Sequence, residues 1–101
     1  MFANSLLASD AYERAMKAYQ NEQWQEAVNE FMLVEKEHPR YATAMRYVGY
    51  NIFGREFGQW DVAVEFCVEA WHAAPQDPKV LEDLGRAALK RQKQIELEIE
   101  E

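Results

Sequence analysis

Two stretches of this chain carry the same pattern 36 residues apart. Trp24, Ala27 and Pro39 of EQWQEAVNEFMLVEKEHPR hold the same relative places as Trp60, Ala63 and Pro75 of GQWDVAVEFCVEAWHAAPQDP. A period between about 20 and 50 residues marks a chain that stacks one supersecondary unit on a copy of itself. One such unit cannot bury its apolar face alone. The repeat therefore constrains the fold before any single residue does.

Within each copy the apolar period is helical. Trp24, Ala27, Val28, Phe31 and Val34 recur every three or four positions, as do Trp60, Ala63, Val64, Cys67, Val68 and Trp71. Each run ends at a proline, which cannot continue a helix interior. Another helix is expected before each. The first runs from Asp10 to about Asn21, with Tyr12, Ala15, Met16 and Tyr19 on one face and Asp10 spaced from Glu13 as a capping box. The second runs from Arg40 to about Glu56 and carries Met45, Val48, Gly49, Ile52 and Phe53. After Pro75, Asp77 is placed as an N-cap and Pro78 in a first turn. That segment carries Val80, Leu81, Leu84, Gly85, Ala88 and Leu89, and no stretch of the chain alternates as a strand. The pattern predicts an all-α fold.

Composition narrows the class. The 101 residues make room for one domain with a modest core, and 49% hydrophobic residues are too many for a disordered chain. A formal net charge of -7 repels phosphate backbones, so no nucleic acid is expected as a partner. The single cysteine, Cys67, cannot form an internal disulfide, which suits a reducing compartment. The opening MFANSLLASD lacks the basic region of a secretory signal, and no apolar run reaches the roughly 18–20 residues of a membrane span. A cytoplasmic location is the expectation.

At this point the residues resemble a family. The tetratricopeptide repeat reads W-x2-L-G-x2-Y, then A-x3-F, then P, over about 34 residues. The first copy here reads Tyr12, Ala15, Met16, Tyr19, then Ala27, Phe31, then Pro39. The second reads Met45, Val48, Gly49, Ile52, then Ala63, Cys67, then Pro75, and a half copy follows as Leu81, Leu84, Gly85, Ala88. The chain resembles this family over residues 9 to 90, with repeats at 9–41 and 42–77 and a capping helix with a charged tail at 78–101. The resemblance implies a right-handed α-α superhelix, a solenoid of about five antiparallel helices. Small residues at Ala15, Gly49, Gly85, Ala27 and Ala63 would let paired helices approach closely. Met16 and Cys67 depart from the pattern. The first turn is one residue short of the family length, and the second is about two residues over it.

The residues offer no constellation for catalysis. His38 and His72 each fall near a helix end, where the dipole favours them, and Cys67 lies on an apolar stripe. No cluster has metal-ligand spacing and no glycine-rich loop cradles a phosphate, so no cofactor or metal is expected. The family resemblance implies instead that the first helices of the pairs line a concave groove for a peptide or helix of a partner protein. Carried over residue by residue, that groove takes Lys17, Arg46, Tyr50, Phe53, Arg86 and Lys90. Lys17, Arg46 and Arg86 would receive carboxylates, and Tyr50 with Phe53 would pack an apolar anchor. The family's carboxylate clamp is largely missing, because Glu13, Tyr47 and Asp83 stand where it has Lys, Asn and Arg. The expected function is that of a non-catalytic scaffold or adaptor. The alternatives are a small chaperone for a secretion or assembly subunit, or a module that self-assembles, as a homodimer through terminal apolar stripes. Those stripes are Phe2, Leu6 and Leu7 at one end and Ile95 and Ile99 at the other.

Overall fold

The structure, a computed structural model, describes residues 2–100 and the side chains of residues 11–100. Among these residues the chain forms five helices and no strand. They are α1 (Phe2–Gln20), α2 (Trp24–Phe31), α3 (Tyr41–Arg46), α4 (Trp60–Ala73) and α5 (Pro78–Glu100). Helix α3 runs without a break into a π-helical segment, Tyr47–Glu56. None of these helices is long and apolar enough to cross a membrane. Helix α1 begins at Phe2, so Asp10 lies inside it and does not start it, contrary to the expected capping box. The side chains of Phe2, Leu6, Leu7 and Asp10 lie outside the described residues.

The repeat in the sequence is also a repeat in the backbone. Among the described residues only Glu22 and Gly58 have positive φ, at 59° and 69°, and they occupy equivalent places before Trp24 and Trp60. The N-cap residues that follow have nearly the same dihedrals: Gln23 at φ -90°, ψ 78° and Gln59 at φ -95°, ψ 75°. Each N-cap carbonyl then accepts a helical bond, from the N–H of Ala27 (2.9 Å) and of Ala63 (3.0 Å). A left-handed residue just past a helix lets the chain reverse while the last carbonyls are satisfied. At the first turn, Glu22 N–H donates to the Tyr19 carbonyl (3.0 Å) and Gln23 N–H to that of Ala18 (2.9 Å). At the second, Gly58 N–H donates to the Gly54 carbonyl (2.8 Å) and Gln59 N–H to that of Phe53 (2.7 Å). Each of these second bonds spans one residue more than its counterpart.

That widening belongs to the π segment. A bond from residue i to i+5 takes in one more residue per turn than the α-helical bond. The ten residues Tyr47–Glu56 therefore absorb about two extra residues. The excess length expected in the second turn sits inside the helix, and the turn itself stays short.

Helix α2 differs from expectation in the opposite sense. The apolar period runs on to Val34, yet the helix ends at Phe31. Leu33 and Val34 each donate only three residues back, to Glu30 (3.0 Å) and Phe31 (3.1 Å), so the last turn tightens and the chain leaves the helix. Val34 is still buried, so the period marks burial here and not helix. His38 consequently does not sit at the end of α2. It precedes α3, where its Nδ1 accepts the Arg40 N–H (2.9 Å) and its ring stacks on Tyr12 (6.0 Å). His72 does lie in the last turn of α4.

Consecutive helices pack antiparallel in two pairs, with α5 added to the second. Tyr12 meets Phe31 and Tyr19 meets Trp24, which sets the end of α1 against the start of α2. A Cβ on Gly49 would come within 2.8 Å of both the Ala63 carbonyl oxygen and the Phe66 Cβ, so only glycine permits this approach of the π segment to α4. A Cβ on Gly54 would overlap the Trp60 ring. Ala15, Ala27, Ala44 and Ala63 are fully buried at the helix contacts. Helix α5 starts as expected, with Asp77 Oδ1 accepting the Lys79 N–H (2.9 Å). Its buried face is Val80, Asp83 and Ala87, however, while Leu81, Gly85 and Leu89 are exposed. Gly85 has no neighbour within 4 Å of a would-be Cβ, so it serves no close approach. Near the end of α5, Gln94 Nε2 donates to the Gly58 carbonyl (2.9 Å), which ties the helix to the body one residue past Lys93.

Candidate functional site

The six side chains assigned to one groove are divided by the structure. Arg46 is already occupied, because its Nη1 donates to Asp83 Oδ2 at 2.9 Å, with only 16% and 6% of the two side chains exposed. Its guanidinium also lies over the Tyr47 ring, 5.6 Å from the centroid, and its buried Nε has no partner among the described residues. Arg46 therefore holds a carboxylate of its own chain and is not the free cation expected. Tyr50 packs on Trp60 (5.6 Å), and Lys90 Nζ lies 6.0 Å from the same indole.

Phe53 does not join Tyr50. It stacks on Phe66 (5.6 Å) and meets Phe57 edge-on (5.7 Å), within a different apolar cluster. The reason is the π segment. In an α-helix, residues three apart share a face, but one extra residue per turn swings the later one away. Lys17 and Arg86 are exposed, and Arg86 Nη1 lies 3.4 Å from Glu82 Oε1.

In place of the expected anchor, the structure builds a polar-aromatic row across three helices. Asn51 Nδ2 donates to the Tyr19 hydroxyl oxygen (3.1 Å), and the Tyr19 ring meets Tyr47 edge-on (4.9 Å). Tyr47 stacks on Phe31 (5.6 Å) behind it and underlies Arg46, which reaches Asp83 on α5. Tyr19, Tyr47, Asn51 and Arg46 are half-buried. Sequence reasoning placed Tyr19 on an apolar face, singled out Tyr47 and Asp83 only as departures from the family's carboxylate clamp, and did not single out Asn51. The available signal was spacing: Arg46 and Asp83 are 37 residues apart, close to one period.

Two ionisable groups in the second pair are strongly perturbed. Burial, reinforced by Asp83, pushes the Cys67 thiol up to about 12, against the opposing pull of Arg46 and the Tyr50 backbone. Such a thiol stays protonated and packs as a small hydrophobe. Burial also raises Tyr41 to about 12, helped by Glu69, whose Oε2 accepts the Tyr41 hydroxyl at 2.8 Å. Among the described residues no group of three or more His, Cys, Asp or Glu could hold a metal ion. The hydroxyl, amide and ammonium groups on this surface can donate hydrogen bonds to carbonyls and carboxylates. Comparison with protein-family models, with curated proteins and with solved structures returned no match to this chain.

Proposed function

We propose that this protein is a non-catalytic interaction module of the tetratricopeptide kind, a short right-handed α-α solenoid. It holds a segment of a partner protein across the face formed by α1, the π segment and α5. The observation that carries this reading is the row from Tyr19 through Asn51, Tyr47 and Arg46 to Asp83, which joins three helices side by side, with Tyr19, Asn51, Tyr47 and Arg46 half-buried and Asp83 buried. Tyrosine and arginine in such settings are the side chains that most often dominate binding energy. Lys17 on α1 and Arg86 and Lys90 on α5 are exposed and supply cations for acidic positions in the segment. The equivalent turns at Glu22 and Gly58 support the repeat reading.

The test is affinity capture with the wild type and a Lys17→Glu/Lys90→Glu variant, whose exposed positions leave the fold intact. A protein bound by the first and lost by the second supports this face. Equal capture moves binding elsewhere. A second reading is self-association through the outer face of α5, favoured by the exposure of Leu81, Leu89, Ile95 and Ile99. A mass that stays monomeric as concentration rises removes it.

A further inference from the structure

The early end of α2 has a consequence on another part of the surface. As the chain tightens and leaves the helix, Met32 and Leu33 turn outward and are 50% and 60% exposed. Met32 then forms one wall of a groove whose other wall is Phe66 on α4 and whose floor is Tyr41 and Met45, both buried. The apolar surface continues beyond the groove: Phe66 stacks on Phe53, and Phe53 meets Phe57, which is 39% exposed. Four carboxylates, Glu35, Glu37, Glu65 and Glu69, stand around this strip against one ammonium, Lys36. Glu69 accepts the Tyr41 hydroxyl and lies 3.9 Å from Lys36 Nζ. Glu35, Glu37 and Glu65 are exposed and have no ion-pair partner among the described residues.

We propose that this strip docks a basic amphipathic helix of another protein. The helix seats its apolar side chains on Met32, Phe66 and Phe57, and its Lys or Arg side chains meet Glu35, Glu37 and Glu65. An apolar floor with a rim of one charge sign is the arrangement that takes an amphipathic helix of the opposite sign. An acidic segment would place like charges together, and a purely apolar one would strip water from the carboxylates without pairing them. The chain's own net charge of -7 argues against a second copy as the occupant. This docking is independent of the Tyr47 face, since it uses none of the same side chains.

The test measures fluorescence anisotropy of a labelled Leu/Lys amphipathic peptide and its Leu/Glu counterpart against the full chain. Saturable binding of the Leu/Lys peptide alone is expected. Glu65→Lys should weaken it about tenfold and Met32→Ser or Leu33→Ser severalfold. Glu26→Lys, the same charge change at an exposed position of α2 beside Arg14 and Lys17, should alter it less than about twofold. Equal weakening by the two charge reversals would show attraction to net charge only and overturn the proposal. So would indifference to both Met32→Ser and Leu33→Ser, or equal binding of the Leu/Glu peptide. Circular dichroism on each variant separates a lost site from a lost fold.

Discussion

The first and second helix pairs solve one packing problem with different materials. Both reverse through a left-handed residue, a glutamine N-cap and a tryptophan at the first helical position. The first pair then fills its interior with alanines and aromatic rings: Ala11, Ala15, Ala18 and Ala27 around Phe31, with Tyr12 edge-on. The second pair uses a backbone approach at Gly49, a buried ion pair from Arg46 to Asp83, a buried thiol and a helix with more residues per turn. A shared turn therefore does not dictate a shared interior. The first pair depends on shape, and the second depends on shape together with charge.

The sharpest way to break this contrast is to remove one member of the ion pair. Asp83→Ala should lower unfolding free energy by about 3–5 kcal/mol, because it leaves the Arg46 charge buried and unpaired. An Arg46→Met/Asp83→Leu double variant should recover most of that loss in the same urea titration. If the single variant cost under about 1 kcal/mol, the pair would be hydrated like a surface bridge and the contrast between the two interiors would fall.

An alkaline titration probes the same difference. Cys67 and Tyr41 both hold their protons more tightly in the fold, each with a raised value of about 12 against 9.0 and 10.0 in the unfolded chain. Their contribution is complete below about pH 9 and declines as pH rises towards 12, because the unfolded state releases these protons first. Urea midpoints should fall across that window. Cys67→Ala should flatten the lower part of the decline and Tyr41→Phe the upper part. An unchanged slope in both variants would place the alkaline sensitivity outside the second pair.

Two glycines at equivalent repeat positions should respond with opposite signs. Gly49→Ala forces a Cβ into the backbone of α4 and should destabilise by about 1–3 kcal/mol. Gly85→Ala meets nothing and should stabilise α5 by about 0.5–1 kcal/mol. A loss at both positions would mean that the outer face of α5 is covered in solution. The exchange at the turns is of similar size to the gain at Gly85. Glu22→Gly should stabilise and Gly58→Ala destabilise, each by about 1 kcal/mol, since both backbones sit at positive φ. Thermal melting would resolve either change.

How much of this was legible in the sequence depends on the kind of signal. The order of helices, the burial of Ala27 and Ala63, the close approach at Gly49 and the Asp77 cap all follow from local residue chemistry. The end of α2 was hidden because Val34 keeps the helical period while its backbone does not. The face of α5 was misjudged because its large apolar residues were taken as the buried side, whereas Asp83 turns inward to Arg46, and the face of the π segment because an unbroken α-helical step was assumed. Tyr50 and Phe53 part company for that reason, and Leu81 and Leu89 turn to solvent where Val80, Asp83 and Ala87 turn inward. The polar-aromatic row escaped because its links run between helices, and no local window contains both Tyr19 and Asn51 or both Arg46 and Asp83.

The π segment also governs how this chain tolerates changes in its own length. Extra residues stored inside a helix leave the neighbouring loop as short as before. One residue added or removed there can be taken up by a change in the number of residues per turn, so the side chains within the segment shift face while the turn at Gly58 keeps its place. An insertion or deletion between Tyr47 and Glu56 would thus rewrite which side chains this surface displays without changing how the helices connect. The segment acts as a phase adjuster, through which drift in chain length becomes a change in surface chemistry.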